Sequence, residues 1–157
     1  MEAYFKLGQV YIYPNKQYDE GIKCYKKLIE LKPDCVEAYF RLGDIYKYSN
    51  KQYDEAIRWY EKLIEVKPDC ARAYLKQGEI YADWYEQYEK AIKCFEKAIE
   101  LEPDYGAAYF HMGDAYQALG KEKEKIECYK VAARLGYVPS QQWLRDNNIP
   151  LEENDGE

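Results

Sequence analysis

The chain has 157 residues, a formal net charge of −6 and a 33% charged fraction, and its hydrophobic residues, 47% of the total, recur periodically. That composition excludes a disordered chain and is long enough for one ordinary core. No run approaches the roughly 18 apolar residues of a membrane-spanning helix, and no basic stripe suits a phosphate backbone, so neither membrane nor nucleic acid is expected as a partner.

Pro33, Pro68 and Pro103 are spaced by 35 residues, as are Gly8, Gly43, Gly78 and Gly113, and Tyr11, Tyr46, Tyr81 and Tyr116. Self-similarity at this period marks a stacked array. Units are expected at 1–35, 36–70, 71–105 and 106–139, each with two helices, followed by a capping helix at 140–148 and an acidic tail at 149–157. The first helix opens almost at Met1. That start lacks the basic-then-apolar plan of a leader, so a cytoplasmic location is expected. In the second unit, VEAYFRLGDIYKY sets Ala38, Leu42, Ile45 and Tyr46 along one face. After a break at Ser49-Asn50, YDEAIRWYEKLIEV does the same with Ala56, Tyr60, Leu63 and Ile64. Pro68 ends that helix and Asp69 is the expected N-cap of the next. One unit earlier, Asp34 with Glu37 has the outline of a capping box.

A mid-helix glycine costs roughly 1 kcal/mol against alanine, so four at equivalent sites need a reason. Close helix approach supplies one, with Tyr25, Tyr60, Phe95 and Tyr129 as the side chains that fill the notch. At the other end, RLGYVPSQQWLRDNN predicts a helix stop at Gly136 and a restart after Pro139-Ser140, carrying Trp143 and Leu144. A terminal unit exposes the apolar face its missing neighbour would cover, so a cap is expected there. The first helix has no such cap, which fits either a piece of a longer array or an end covered by a partner. Residues 146–157 hold five acids and no Lys or Arg, leaving the first 145 residues with a net charge of −1.

Tyr4-x-x-Leu7-Gly8-x-x-Tyr11, then Ala56-x-x-x-Tyr60 and Pro68, resembles the tetratricopeptide repeat. The pattern recurs as Tyr39/Leu42/Gly43/Tyr46, Tyr74/Gly78/Tyr81 and Tyr109/Met112/Gly113/Tyr116. The resemblance implies an all-α fold, a right-handed α-solenoid of antiparallel helix pairs. Departures are Gln77 for the usual leucine, and Gly21 and Lys125 for the usual small alanine. One extra residue lies in each of the first three turns, at YPNKQYDE, YSNKQYDE and DWYEQYEK, while the fourth, ALGKEKEK, has the ordinary length.

Catalysis is not expected. The chain has one histidine, His111, two serines, Ser49 and Ser140, and no threonine, and only Cys128 shares a unit with His111. The glycines lie too far apart for a phosphate-binding loop. Acids fall on faces expected to be exposed, and no pair stands out as an acid/base couple. Cys24, Cys35, Cys70, Cys94 and Cys128 form no C-x-x-C pair, so neither disulfides nor a metal site is expected. They read as small hydrophobes, and no cofactor is implied.

In the resembled family the first helices of successive units line a concave groove that takes peptides. Transferred by spacing, the groove positions are Phe5 and Gln9; Phe40, Arg41 and Asp44; Arg72, Leu75, Lys76 and Glu79; and Phe110, His111 and Asp114. Phe5, Phe40, Leu75 and Phe110 form an apolar ladder, and Arg41, Arg72 and Lys76 a basic cluster, a combination suited to an acidic, hydrophobic peptide. The family's carboxylate clamp for chaperone tails keeps only Arg72 and Lys76; Phe5, Gln9 and Arg41 stand in its other places, so that ligand is not expected. The function expected is a peptide-binding module or scaffold. The alternatives are a homo-oligomer built through the uncapped first helix, which light scattering over a concentration series tests, or an interaction domain of a larger protein.

Overall fold

The structure, a computed structural model, describes residues 2–12, 17–49 and 51–151. Among them the chain forms helices α1 (Glu2–Ile12), α2 (Tyr18–Leu31), α3 (Val36–Tyr48), α4 (Tyr53–Val66), α5 (Ala71–Asp83), α6 (Tyr88–Leu101), α7 (Gly106–Ala118), α8 (Glu122–Arg134) and α9 (Val138–Asp146), with no strand. It is an all-α solenoid of helix hairpins. None of these helices is long and apolar enough to cross a membrane.

The second helix of each hairpin buries residues at three-to-four spacing. In α2 these include Ile22, Tyr25 and Leu28; in α4, Ile57, Tyr60 and Leu63; in α6, Ile92, Phe95 and Ala98. Asp19 and Glu20, Asp54 and Glu55, and Glu89 sit in the first turns, where negative charge complements the helix dipole. Pro33, Pro68 and Pro103 lie two residues beyond the last helical residue.

The expected aspartate caps are absent. α3 is capped by Cys35 with no side-chain hydrogen bond, and α5 begins two residues after Asp69. The Pro-Asp pair is used up in the turn itself: the backbone N–H groups of Val36 and Ala71 donate to the carbonyls of Asp34 and Asp69, at 2.9 and 3.2 Å. Glu37 pairs with Arg41 instead, at 2.8 Å.

The chain falls into two compact units, Met1–Ala73 and Tyr74–Glu157. In the first, α2 packs on both α1 and α3, and α3 on α4. Ile22, Tyr25 and Leu28 meet Ala38, Leu42 and Ile45 there. In the second, α7 packs on α6 and α8, and α8 on α9. Each mid-helix glycine faces the expected ring: Tyr25 over Gly8, Tyr60 over Gly43, Phe95 over Gly78 and Tyr129 over Gly113. A Cβ at Gly8 would stand 2.9 Å from the Tyr25 Cζ, and the fit is tighter still at the other three.

α8 ends at Arg134 and is followed by its C-cap Leu135 and by Gly136, whose φ of +83° suits a residue without a Cβ. The capping helix starts two residues earlier than expected. Pro139 lies inside its first turn, where a missing N–H leaves no hydrogen bond unmade. Trp143 and Leu144 then cover Tyr129 and Ala133. Lys125, placed where the repeat pattern has a small residue, is buried; its Nζ lies 4.3 Å from the Trp143 ring centroid and 3.2 Å from Glu122. The first turn's YPN, Asn50 and the acidic tail from Glu152 lie outside the described residues.

Candidate functional site

In the first unit, Lys6 and Gln9 on α1 and Arg41 and Asp44 on α3 border a cavity of about 590 Å³. Val10, Ile45 and Tyr48 supply its apolar walls, with the buried Tyr25 at its base. Tyr60 O–H donates to Asp44 at 2.8 Å. The ladder residues are largely spent on packing. Phe5 meets the Tyr25 ring edge-on at 6.0 Å, and Phe40, only 2% exposed, lies 5.7 Å from Tyr60. Arg72, itself exposed, lays its guanidinium 3.6 Å above the Phe40 ring. α1 also exposes Tyr4, Leu7 and Val10, whose counterparts 35 residues on, Tyr39, Leu42 and Ile45, are buried.

In the second unit Leu75 is 4% exposed and Phe110 stacks 5.1 Å from Tyr129. Lys76 Nζ donates to both carboxylate oxygens of Glu79, at 2.7 and 2.9 Å. Glu79 is 7% exposed, so this acid is not on a solvated face as its helical position suggested. His111 stacks on Phe95 at 6.0 Å, with Nε2 3.9 Å from Glu79 and Nδ1 3.8 Å from Asp114. It is half-buried between two carboxylates. Tyr129 O–H donates to Asp114.

Burial raises the Asp114 pKa above its ordinary 3.8, against the opposing effects of the Tyr129 hydrogen bond and His111. The folded state therefore holds this proton more tightly than the unfolded chain. The resulting stability is fully present below pH 3.8 and is lost as pH rises through the raised value. Asp114→Asn should remove this dependence: wild-type stability relative to the variant falls as pH rises through that window, as urea unfolding at several pH values would show. A difference that grows with pH would contradict the assignment.

A correlation joins the two helices in the last three hairpins; the first has Gln9 in place of the acid. Asp44 faces Tyr60 and Asp114 faces Tyr129, each accepting a phenolic hydrogen bond. Where the second helix carries Phe95, with no hydroxyl to give, the first carries Glu79, which takes Lys76 instead. Part of the unit-to-unit variation at these positions is therefore structural. The signal in the sequence was the Tyr/Phe choice 15 or 16 residues downstream of each acid.

Among the described residues no group of three or more His, Cys, Asp or Glu is placed to hold a metal ion. Burial pushes the Cys94 thiol up to about 11 and Cys128 to about 12, so both stay protonated and poorly nucleophilic at neutral pH.

Family models described as TPR repeat match residues 13–48 and 86–120, and others described as tetratricopeptide repeat match residues 36–70 and 106–135. Among solved structures, a crystal structure of MamA is 30% identical, with 89% of this chain and 80% of that one covered and a TM-score of 0.74. MamA from Desulfovibrio magneticus RS-1, residue 41 to its end, is 27% identical over 86% and 75% of the two chains, with a TM-score of 0.72. No curated protein matches the sequence.

Proposed function

The chain belongs to the tetratricopeptide repeat family, a protein-interaction scaffold whose fold is generally non-catalytic, and on that premise we propose that it holds a peptide segment of a partner on the first helices of its hairpins. One observation carries the reading. On those helices residues that vary from hairpin to hairpin remain reachable: Lys6, Gln9 and Arg72 are exposed, and Arg41, Lys76, His111 and Asp114 half-exposed. On the second helices the most regular inward positions are Ile22, Ile57 and Ile92, and Tyr25, Tyr60, Phe95 and Tyr129. Variable, accessible side chains on a rigid repeating frame are where specificity resides. Phe40 and Leu75 serve as the packing beneath this face, and the polar residues above them do the selecting.

The test is charge reversal at exposed cations. Lys6→Glu with Arg72→Glu should reduce capture of partners by the immobilised chain about tenfold, the equivalent of about 1.4 kcal/mol. Lys76 is left in place because its removal would strand the buried Glu79 carboxylate. Undiminished capture by a folded double variant counts against this face.

A further inference from the structure

The segments that join first to second helices read IYPNKQ at 12–17, KYSNKQ at 47–52, ADWYEQ at 82–87 and QALGK at 117–121. The second and third close in the same way. Gln52 N–H donates to the Tyr46 carbonyl at 2.9 Å, and Gln87 N–H to the Tyr81 carbonyl at 2.8 Å. The residue before each takes a positive φ, +51° at Lys51 and +52° at Glu86. On that shared frame the side chains are opposite in kind. The second turn carries Lys47 and Lys51, the third Asp83 and Glu86, with Trp84 in place of Ser49. Trp84 is 49% exposed, and both acids are exposed. None of the other three segments holds a tryptophan or an acid.

Helix polarity deepens the contrast. Lys47 stands in the last turn of α3, where a cation complements the negative end of the dipole. α5 ends on Asp83 and has no basic residue in its last turn, so acid and dipole reinforce each other there. This end of the hairpin already receives one cation on an aromatic face. Lys90 Nζ lies 5.1 Å from the Tyr81 ring centroid, and the Tyr85 ring lies 6.3 Å from that of Tyr81. Exposed ion pairs contribute little by themselves, so the acids attract a cation and the indole face discriminates. A guanidinium stacks on an indole and offers planar N–H groups to carboxylates; an ammonium is more strongly hydrated and gains less.

We propose that the turn between α5 and α6 is a docking surface for an arginine-bearing segment of a partner protein. One guanidinium lies on the Trp84 indole, and the Asp83 and Glu86 carboxylates hold it. The surface is separate from the first-helix positions named above and does not rest on them.

The probe is fluorescein-labelled Gly-Arg-Ala-Arg-Gly, titrated against the full chain by fluorescence anisotropy. Saturable binding is expected, about threefold weaker when both arginines of the peptide become lysine. Trp84→Ser with Glu86→Lys gives the third turn the residues of the second, which the same backbone already accommodates, so this variant should fold. Its affinity should fall about tenfold. Glu61→Lys makes the same change in net charge at an exposed second-helix position and should leave binding unchanged. Lys6→Glu with Arg72→Glu should not weaken it either. Lack of saturable binding, equal affinity for the lysine peptide, or full affinity in the turn variant would each overturn the proposal. So would an equal loss in Glu61→Lys, which would reduce the effect to net charge, or a loss in the Lys6/Arg72 variant, which would place the peptide on the first helices.

Discussion

Tyr60→Ala should destabilise the chain by about 3–5 kcal/mol in urea unfolding, the loss expected for a large aromatic side chain deleted from a core. The ring is fully buried. It fills the notch at Gly43, tilts against Phe40 at 5.7 Å and donates its hydroxyl to Asp44 at 2.8 Å. Its removal opens a cavity, withdraws a partner from Phe40 and strips a hydrogen bond from a partly buried carboxylate. The reciprocal change inverts an ordinary rule. Gly→Ala in mid-helix normally stabilises by up to about 1 kcal/mol, but a Cβ at Gly43 would press into the Tyr60 ring. Gly43→Ala should therefore lose stability, by about 1–3 kcal/mol as overpacking does. Combining the two should cost less than the sum of the single changes, because the alanine methyl enters the space the ring vacated. Additive costs would mean that the glycine and the ring are not a lock and its key.

Leu144→Ala should cost about 2–5 kcal/mol, and its effect should be local. Leu144 is 3% exposed and lies with Trp143 on Tyr129 and Ala133, so α9 substitutes for the next hairpin of the array. Trp143 also roofs the buried Lys125 ammonium, so loosening α9 removes a cation–π partner from a charge that is otherwise hard to accommodate. In a linear array each repeat is stabilised chiefly by its neighbours. Amide hydrogen exchange should accordingly show protection falling first in α8 and α9, with α1–α4 little changed. Uniform loss along the chain would contradict a quasi-one-dimensional architecture.

The helix pairs, the glycine notches and the terminal cap were readable from the sequence because they repeat. A spacing of 35 turns each unit into a control for the others, and a glycine recurring opposite a ring at four places has few explanations besides close packing. Single occurrences were harder. Asp34 has the spacing of a helix cap, but whether the helix starts one residue later depends on how the Pro-Asp turn closes, which is backbone geometry that no side-chain pattern records. The acids facing the second-helix rings were read as solvated because helical periodicity locates a residue on a face without saying how high the neighbouring helix rises beside it. Glu79 is buried by that neighbour and held by Lys76. His111 likewise reads as a polar surface residue until the Phe95 ring beneath it and the two carboxylates beside it are seen. The cavity in the first unit was invisible for the same reason: periodicity places Lys6, Gln9, Arg41 and Asp44 on first helices without saying what space is left between them.

The measurement that bears most directly on the proposed role is site-specific photo-crosslinking. A photoreactive phenylalanine is placed at Gln9, Arg41 or Arg72 on first helices, and at Lys23, Lys62 or Lys93, exposed positions on second helices. After irradiation in a cell lysate, discrete protein adducts are predicted from the first-helix positions alone. Adducts arising only from the second helices, or equally from both sets, would place the interaction surface elsewhere and contradict the account.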